Sequence, residues 1–144
     1  MGRWQSHANL VSILIAAVAA WIFGGVYYTA LSKPWMAAQG KNVEQCKAEL
    51  DAKSGIAKGA PFVVVFISEI IIAWVLYGIL LHMNMFSVRA GIISAAFCWF
   101  GFALTTIATN NAFQARRVML TVIDSIAWLG AFLIIGAIVG GRGP

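Results

Sequence analysis

Residues 99–141 read WFGFALTTIATNNAFQARRVMLTVIDSIAWLGAFLIIGAIVGG, and this stretch decides the fold. Two apolar runs of membrane-spanning length are joined by a turn that carries Arg116 and Arg117. A helix of about 20 residues, rising about 1.5 Å per residue, crosses the hydrocarbon core of a bilayer. Each run also carries polar residues on the half nearer the arginines: Thr105, Thr106, Thr109 and Asn110 on the first, Thr121, Asp124 and Ser125 on the second. The stretch is expected to form a helical hairpin in a bilayer with something polar inside it.

Composition extends that reading to the whole chain. With 144 residues, 61% of them hydrophobic and 10% charged, and a mean hydropathy of +0.85, the chain has too little polar surface to cover a soluble globule. An integral membrane protein is expected. The net charge of +5 resides in short loops and tails, with no aromatic-interleaved basic patch of the kind that nucleic acid needs. Cys46 lies in a polar segment and Cys98 in an apolar one, with no C-x-x-C spacing, so no disulfide framework is implied.

Working outward from the hairpin, its first run begins near Arg89, giving spans over about 89–113 and 118–140. Before it, HMNMFSV reads as a short turn, and the run from Phe62 to about Leu81 reads as another span over about 61–82. Pro61 suits its first turn, where a missing N–H costs least. Residues 32–60 are the one sizeable polar segment. Within them NVEQCKAELDAKSG predicts a short helix near 43–53, with Asn42 as N-cap, Gln45 in the reciprocal capping position, a Glu49–Lys53 pair, and Ser54 and Gly55 at the exit. This helix reads as a solvated connector or, since Val43, Cys46 and Leu50 share a face, as a docking surface.

The first apolar run covers about 8–31. A signal peptide is the competing reading, but apolarity continues through Trp21, Ile22, Phe23 and Val26, too far for a signal core. Ala16, Ala20 and Gly24 recur every four residues, a small-residue ridge that lets another helix approach, and Gly136 and Gly140 repeat the device in the last span. All four spans are expected to be helices, since a lone strand leaves its backbone unsatisfied in lipid. The expected fold class is all-α, a four-helix integral membrane bundle in one domain.

Orientation follows from counting basic residues. Lys33, Lys41, Lys47, Lys53, Lys58, Arg116 and Arg117 fall on one side, and Arg3, Arg89 and Arg142 on the other. The positive-inside rule therefore puts the long loop in the cytoplasm and both termini outside.

Two carboxylates lie within apolar spans. Counted from Pro61 and Arg117, Glu69 and Asp124 are each expected roughly 10–12 Å below the loop-side boundary, level with Tyr28, Thr105, Thr106, Thr109 and Asn110. A carboxylate at the centre of a span costs about 2.5–3.5 kcal/mol, so such groups face a bundle interior, a cavity or a partner. No Lys or Arg lies within a span to neutralise them, and hydrocarbon disfavours the charged form of an acid. Helical spacing puts Thr106, Thr109, Asn110 and Phe113 on one face, and Thr121, Asp124, Ser125 and Trp128 on another. Asp124 reads either as a protonated donor to Asn110 or a threonine, clamping two helices, or as a proton or cation site. Glu69 has the further options of snorkelling to water or meeting another subunit.

His7, His82, Met83 and Met85 carry groups that ligate copper or haem, but two histidines without a recognised spacing leave no metal and no cofactor expected. No zinc-binding His–Glu helix, nucleophile elbow or phosphate-binding loop is present, so the chain is not expected to be an enzyme.

The hairpin closely resembles the DUF1761 family, small bacterial four-span membrane proteins, through GFALTTIATNNAF, the arginines after it, and LTVIDSIAWLGAFLIIGAIVG. WIFGGVYYTALSKPWM resembles the first helix of that family and the tryptophan after it. The resemblance implies Asn110, Asp124 and Trp128 as motif positions, while Ile126 and Ala127 stand where an aromatic commonly precedes the tryptophan. It implies a fold and a bacterial cytoplasmic membrane without implying a reaction. The expected role is a non-catalytic structural or accessory subunit, in a homo-oligomer or with other membrane proteins. The alternative is a small proton- or cation-coupled transporter or channel using Asp124 and Glu69.

Overall fold

The computed structural model describes the backbone of residues 3–144 and the side chains from Asn9 onward, so the His7 side chain lies outside the described residues. The described chain is all-α: α1 Arg3–Ala30, α2 Ser32–Ala38, α3 Val43–Asp51, α4 Gly55–Met83, α5 Val88–Cys98, a π-helical turn Trp99–Leu104, α6 Thr105–Phe113 and α7 Val118–Arg142. Among the described residues, four stretches are long and apolar enough to cross a membrane: Asn9–Ala30, Gly55–Met83, Val88–Phe113 and Val118–Arg142. The helices α2 and α3 gather with the α6–α7 turn at one end of the bundle, here called the loop end.

Local chemistry sets several boundaries away from their sequence-based positions. Ser54 is the N-cap of α4, its hydroxyl accepting from the Ala57 amide at 3.3 Å, so the residues expected to end α3 instead begin α4. Pro61 consequently sits inside α4, and its ring removes the donor that the Ala57 carbonyl would meet in an unbroken helix. At α3 the reciprocal cap forms as its residue types dictate: the Asn42 side chain accepts from the Gln45 amide at 2.7 Å, and the Asn42 amide donates to Gln45 Oε1 at 3.1 Å. Glu49 pairs with Lys41 at 2.6 Å, back across the cap, and not with Lys53. The face of Val43 and Leu50 is open to solvent.

The long helix α7 is the common partner of the bundle, touching α1, α4 and α5 along its length. Its closest neighbour is α5, where glycines replace side chains at the contact. A methyl group added at Gly91 would overlap the Gly136 carbonyl, and one added at Gly140 would overlap the Ser87 carbonyl. Small residues at such crossings let backbones touch and gain dispersion contact that lipid cannot match. Ala16 and Ala20 on α1 are fully buried in the main apolar cluster with Leu76, Leu80, Ile135 and Val139. Gly24, one turn further, meets open space, so the close-packed ridge on α1 stops at Ala20.

The helices α1 and α7 run antiparallel in one register. Tyr28 meets Asp124 near the loop end, and the Arg142 guanidinium donates to the Ser12 hydroxyl at 3.1 Å near the other. The third span is interrupted by the π turn, and beyond it α6 touches α7 but leaves Thr106, Thr109 and Asn110 exposed on its outer side.

The glycine contact is testable. Gly91→Ala is expected to lose about 1–3 kcal/mol by overpacking a backbone contact that cannot yield. Gly24→Ala, which meets nothing, is expected to be neutral or to gain up to about 1 kcal/mol from helix propensity. Reversible unfolding in mixed micelles, followed by circular dichroism, separates the two.

Candidate functional site

The candidate site is built where the C-terminal end of α1, the short helix α2 and the first two turns of α7 meet. Leu31 links α1 to α2 with barely a break: its amide bonds the Tyr27 carbonyl, and its own carbonyl receives the Trp35 amide. That short connection folds α2 back across the end of α7. Ala38, Leu120 and Ile123 form a second, smaller apolar cluster there, with Tyr27, Tyr28, Leu31 and Trp35 packed against it.

Asp124 lies under this cap. The Tyr28 hydroxyl donates to Asp124 Oδ1 at 2.7 Å, and the Trp35 indole N–H donates to the same oxygen at 3.3 Å. The two rings stand edge to face with centroids 5.9 Å apart, a favourable arrangement of aromatic quadrupoles. Tyr27 adds a third tie, donating to the Ile123 carbonyl at 2.8 Å. A half-buried carboxyl is thus held by two aromatic donors from different helices. Such bonds within a water-poor end of a bundle are costly to leave unmade, by about 1–3 kcal/mol per orphaned group.

The carboxyl takes both bonds as acceptor. This corrects the expected partners: the carboxyl bonds Tyr28 and Trp35, not Asn110 or a threonine. Thr106, Thr109 and Asn110 do share a face, but it points away from α7 and is exposed, together with Phe113. The neighbouring residue makes the contact instead: the Asn111 side-chain amide donates to Thr121 Oγ1 at 3.0 Å. Further in, the Trp99 indole donates to the Ser125 carbonyl at 2.9 Å from the start of the π turn. Nothing in the sequence assigns this role to Trp35 or Asn111. Trp35 is marked by its aromatic character next to a helix end and by its place as the tryptophan after the first helix in the family resemblance.

Glu69 is elsewhere. The Trp21 indole donates to the Phe62 carbonyl at 3.1 Å, which aligns Phe62 with a point seven residues deeper on α1 than Tyr28. Glu69 lies seven residues further along α4 than Phe62, deeper in the bundle than Asp124. The expected matching depth does not hold, because α4 enters the bundle six residues before Pro61. Glu69 is 2% exposed, and its Oε2 has no hydrogen-bond partner among the described residues. An unsatisfied buried polar atom in a native fold calls for an explanation. The His82 ring nitrogen Nδ1 bonds the Gly78 carbonyl of its own helix at 2.8 Å. Among the described residues, no three His, Cys, Asp or Glu side chains come close enough to hold a metal.

The pattern of the DUF1761 family, described as a protein of unknown function, matches residues 11–140. The chain belongs to the DUF1761 family. That match takes in the Tyr28, Trp35 and Asp124 constellation as well as both hairpin helices. No curated protein and no solved structure matches the chain.

Two substitutions at the capped carboxyl separate its geometry from its charge. Asp124→Asn keeps an acceptor oxygen for Tyr28 and Trp35 and is expected to cost less than about 1 kcal/mol. Asp124→Ala orphans both donors and is expected to cost about 2–6 kcal/mol, about 1–3 for each. Thermal unfolding in detergent of the two variants beside the wild type checks the order.

Proposed function

We propose that this DUF1761 protein is a non-catalytic membrane subunit that associates through the outer face of its third span, with another copy or another membrane protein. The observation that carries this reading is the exposure of Thr106, Thr109 and Asn110 on a helix of membrane-spanning length. Polar side chains in spans ordinarily face a protein interior, where they hydrogen-bond across helices. Two that α7 carries at the same end are already engaged within the chain: Thr121 with Asn111, Asp124 with Tyr28 and Trp35. The remaining polar face is free to serve an interface, and the apolar Phe102 and Phe113 beside it supply area. The Asp124 cap is then a structural device that braces the loop end for that partner.

The proposed setting is a bacterial cytoplasmic membrane, with the loop end in the cytoplasm. Support comes from seven of the ten Lys and Arg residues lying at that end, the distribution that the positive-inside rule associates with a cytoplasmic face. Fusions of a periplasm-dependent reporter at Gly55 and at the C-terminus should be inactive and active respectively.

One observation supports the transport alternative. A mid-bundle carboxyl with an unpartnered oxygen, Glu69, is the kind of group that proton pathways use. Asp124, with its acceptor oxygen occupied by two donors, supports that alternative less.

The association reading is tested with a chain whose two native cysteines are replaced and Thr109→Cys introduced. Oxidative cross-linking in native membranes is expected to give one discrete higher band, either a dimer or an adduct identifiable by mass spectrometry. Asn110→Leu in the same background is expected to lower the cross-linked fraction several-fold. A wholly monomeric product in membranes, with proton flux abolished by Glu69→Gln in reconstituted vesicles, would replace this reading with the transporter.

A further inference from the structure

A cleft of about 510 Å³ opens at the loop end, between the residues that follow α2 and the turn that joins α6 to α7. One wall carries Gln39 and Lys41, the other Gln114, Arg116 and Arg117, and Leu120 forms part of the floor. Both walls are shaped by a residue with positive φ, Gly40 at 75° and Ala115 at 51°. Such a conformation costs little for glycine and more for alanine. The cleft is therefore polar and built from two separate chain segments, at the level where the spans end.

Its charge balance is positive. Lys41 is paired with Glu49 at 2.6 Å, so Arg116 and Arg117 give the cleft a net excess of two positive charges. Arg117 spends one terminal nitrogen on the Ala37 carbonyl at 2.8 Å, which fixes its guanidinium beside Gly40. Arg116 spends only its Nε, on Gln114 Oε1 at 2.7 Å, which leaves both terminal nitrogens of its fork directed away from that bond. Planar guanidinium forks match the oxygens of phosphate, and two of them around one cleft favour a doubly contacted anion over a halide or a neutral polar group. The cleft also borders the start of α7, whose N-cap Arg117 makes no side-chain cap bond, adding a favourable dipole to the same anion.

From these features we infer that the cleft binds a phosphate group, carried by an anionic phospholipid headgroup or present as a free phosphate anion. Basic pockets between spans at the cytoplasmic boundary are suited to such headgroups. The surroundings favour the lipid source: Phe113, Val118 and Met119, next to the cleft along the chain, are 90%, 79% and 58% exposed, and offer an apolar track for acyl chains. A bound phosphate would join the α2–α3 segment to the α6–α7 turn beside the Arg117–Ala37 hydrogen bond. Binding should therefore stabilise the folded chain by mass action.

The experiment measures thermal unfolding of the delipidated full chain in a neutral detergent against three probes. These are short-chain phosphatidylglycerol, phosphatidylcholine of the same chain length, and inorganic phosphate. A saturable rise in midpoint with phosphatidylglycerol that phosphatidylcholine does not reproduce identifies the lipid headgroup. An equal rise with inorganic phosphate identifies the free anion. Arg116→Gln, whose exposed side chain bonds only Gln114, is expected to weaken the apparent affinity about fivefold, and Lys41→Gln with it about tenfold or more. Lys53→Gln with Lys58→Gln removes two charges outside the cleft and should leave the affinity within about twofold. Equal weakening by the two double variants would reduce the effect to overall charge and overturn the site. So would the absence of any saturable shift with all three probes.

Discussion

The contact that the rest of this structure depends on is the glycine-to-glycine approach of α5 and α7. Lipid tails are as apolar as leucine side chains, so burying hydrocarbon gives little drive for one span to leave lipid for another. Dense packing supplies the drive instead, and it is densest where Gly91, Gly136 and Gly140 let two backbones meet. With α5 seated there, the remaining sides of α7 are left for α1 and α4, and both settle against it through Ala16, Ala20, Leu76 and Leu80. Every later feature, the capped carboxyl included, is positioned by its place on α7.

Polar groups then divide the bundle along its length. Near the loop end several are matched across helices: Tyr28 and Trp35 with Asp124, Asn111 with Thr121, Trp99 with the Ser125 carbonyl. Hydrogen bonds of this kind carry modest net energy but strongly fix register, since an unmatched donor in a dry setting costs more than a matched one gains. The middle is the reverse: apolar, close-packed, and holding Glu69 with one oxygen unsatisfied. The cross-helix bonds at the loop end hold α1, α2, α6 and α7 together there, whereas nothing in the bundle pairs with the free oxygen of Glu69 among the described residues.

Much of the fold is legible in the residues. Runs of about 20 apolar residues set the four spans because hydrocarbon thickness allows little else. The Asn42 and Gln45 pair announces its reciprocal cap. Asp124 stands out as a site because an acid in an apolar run needs a reason. Less legible was the start of α4. Ser54 is chemically able to end one helix or begin the next, and the Pro61 preference for a first turn outweighed it in the sequence reading. The partners of Asp124 are legible only in part: Tyr28 lies at the expected depth, while Trp35 falls in the polar segment beyond the first apolar run.

The sequence by itself determined that this chain is helical, membrane-spanning and marked by Asp124 near an arginine turn, because those properties follow from composition and from local spacing. Which residues face one another was decided by the tertiary structure. On a helix, one position changes direction by about 100°, so the choice between Asn110 and Asn111 as the inward residue depends on the rotational phase of α6. That phase is reset by the π turn at Trp99–Leu104, which local propensity does not announce. The turn forms where Trp99 reaches the Ser125 carbonyl, a partner 26 residues away, and only packing against α7 brings the two together.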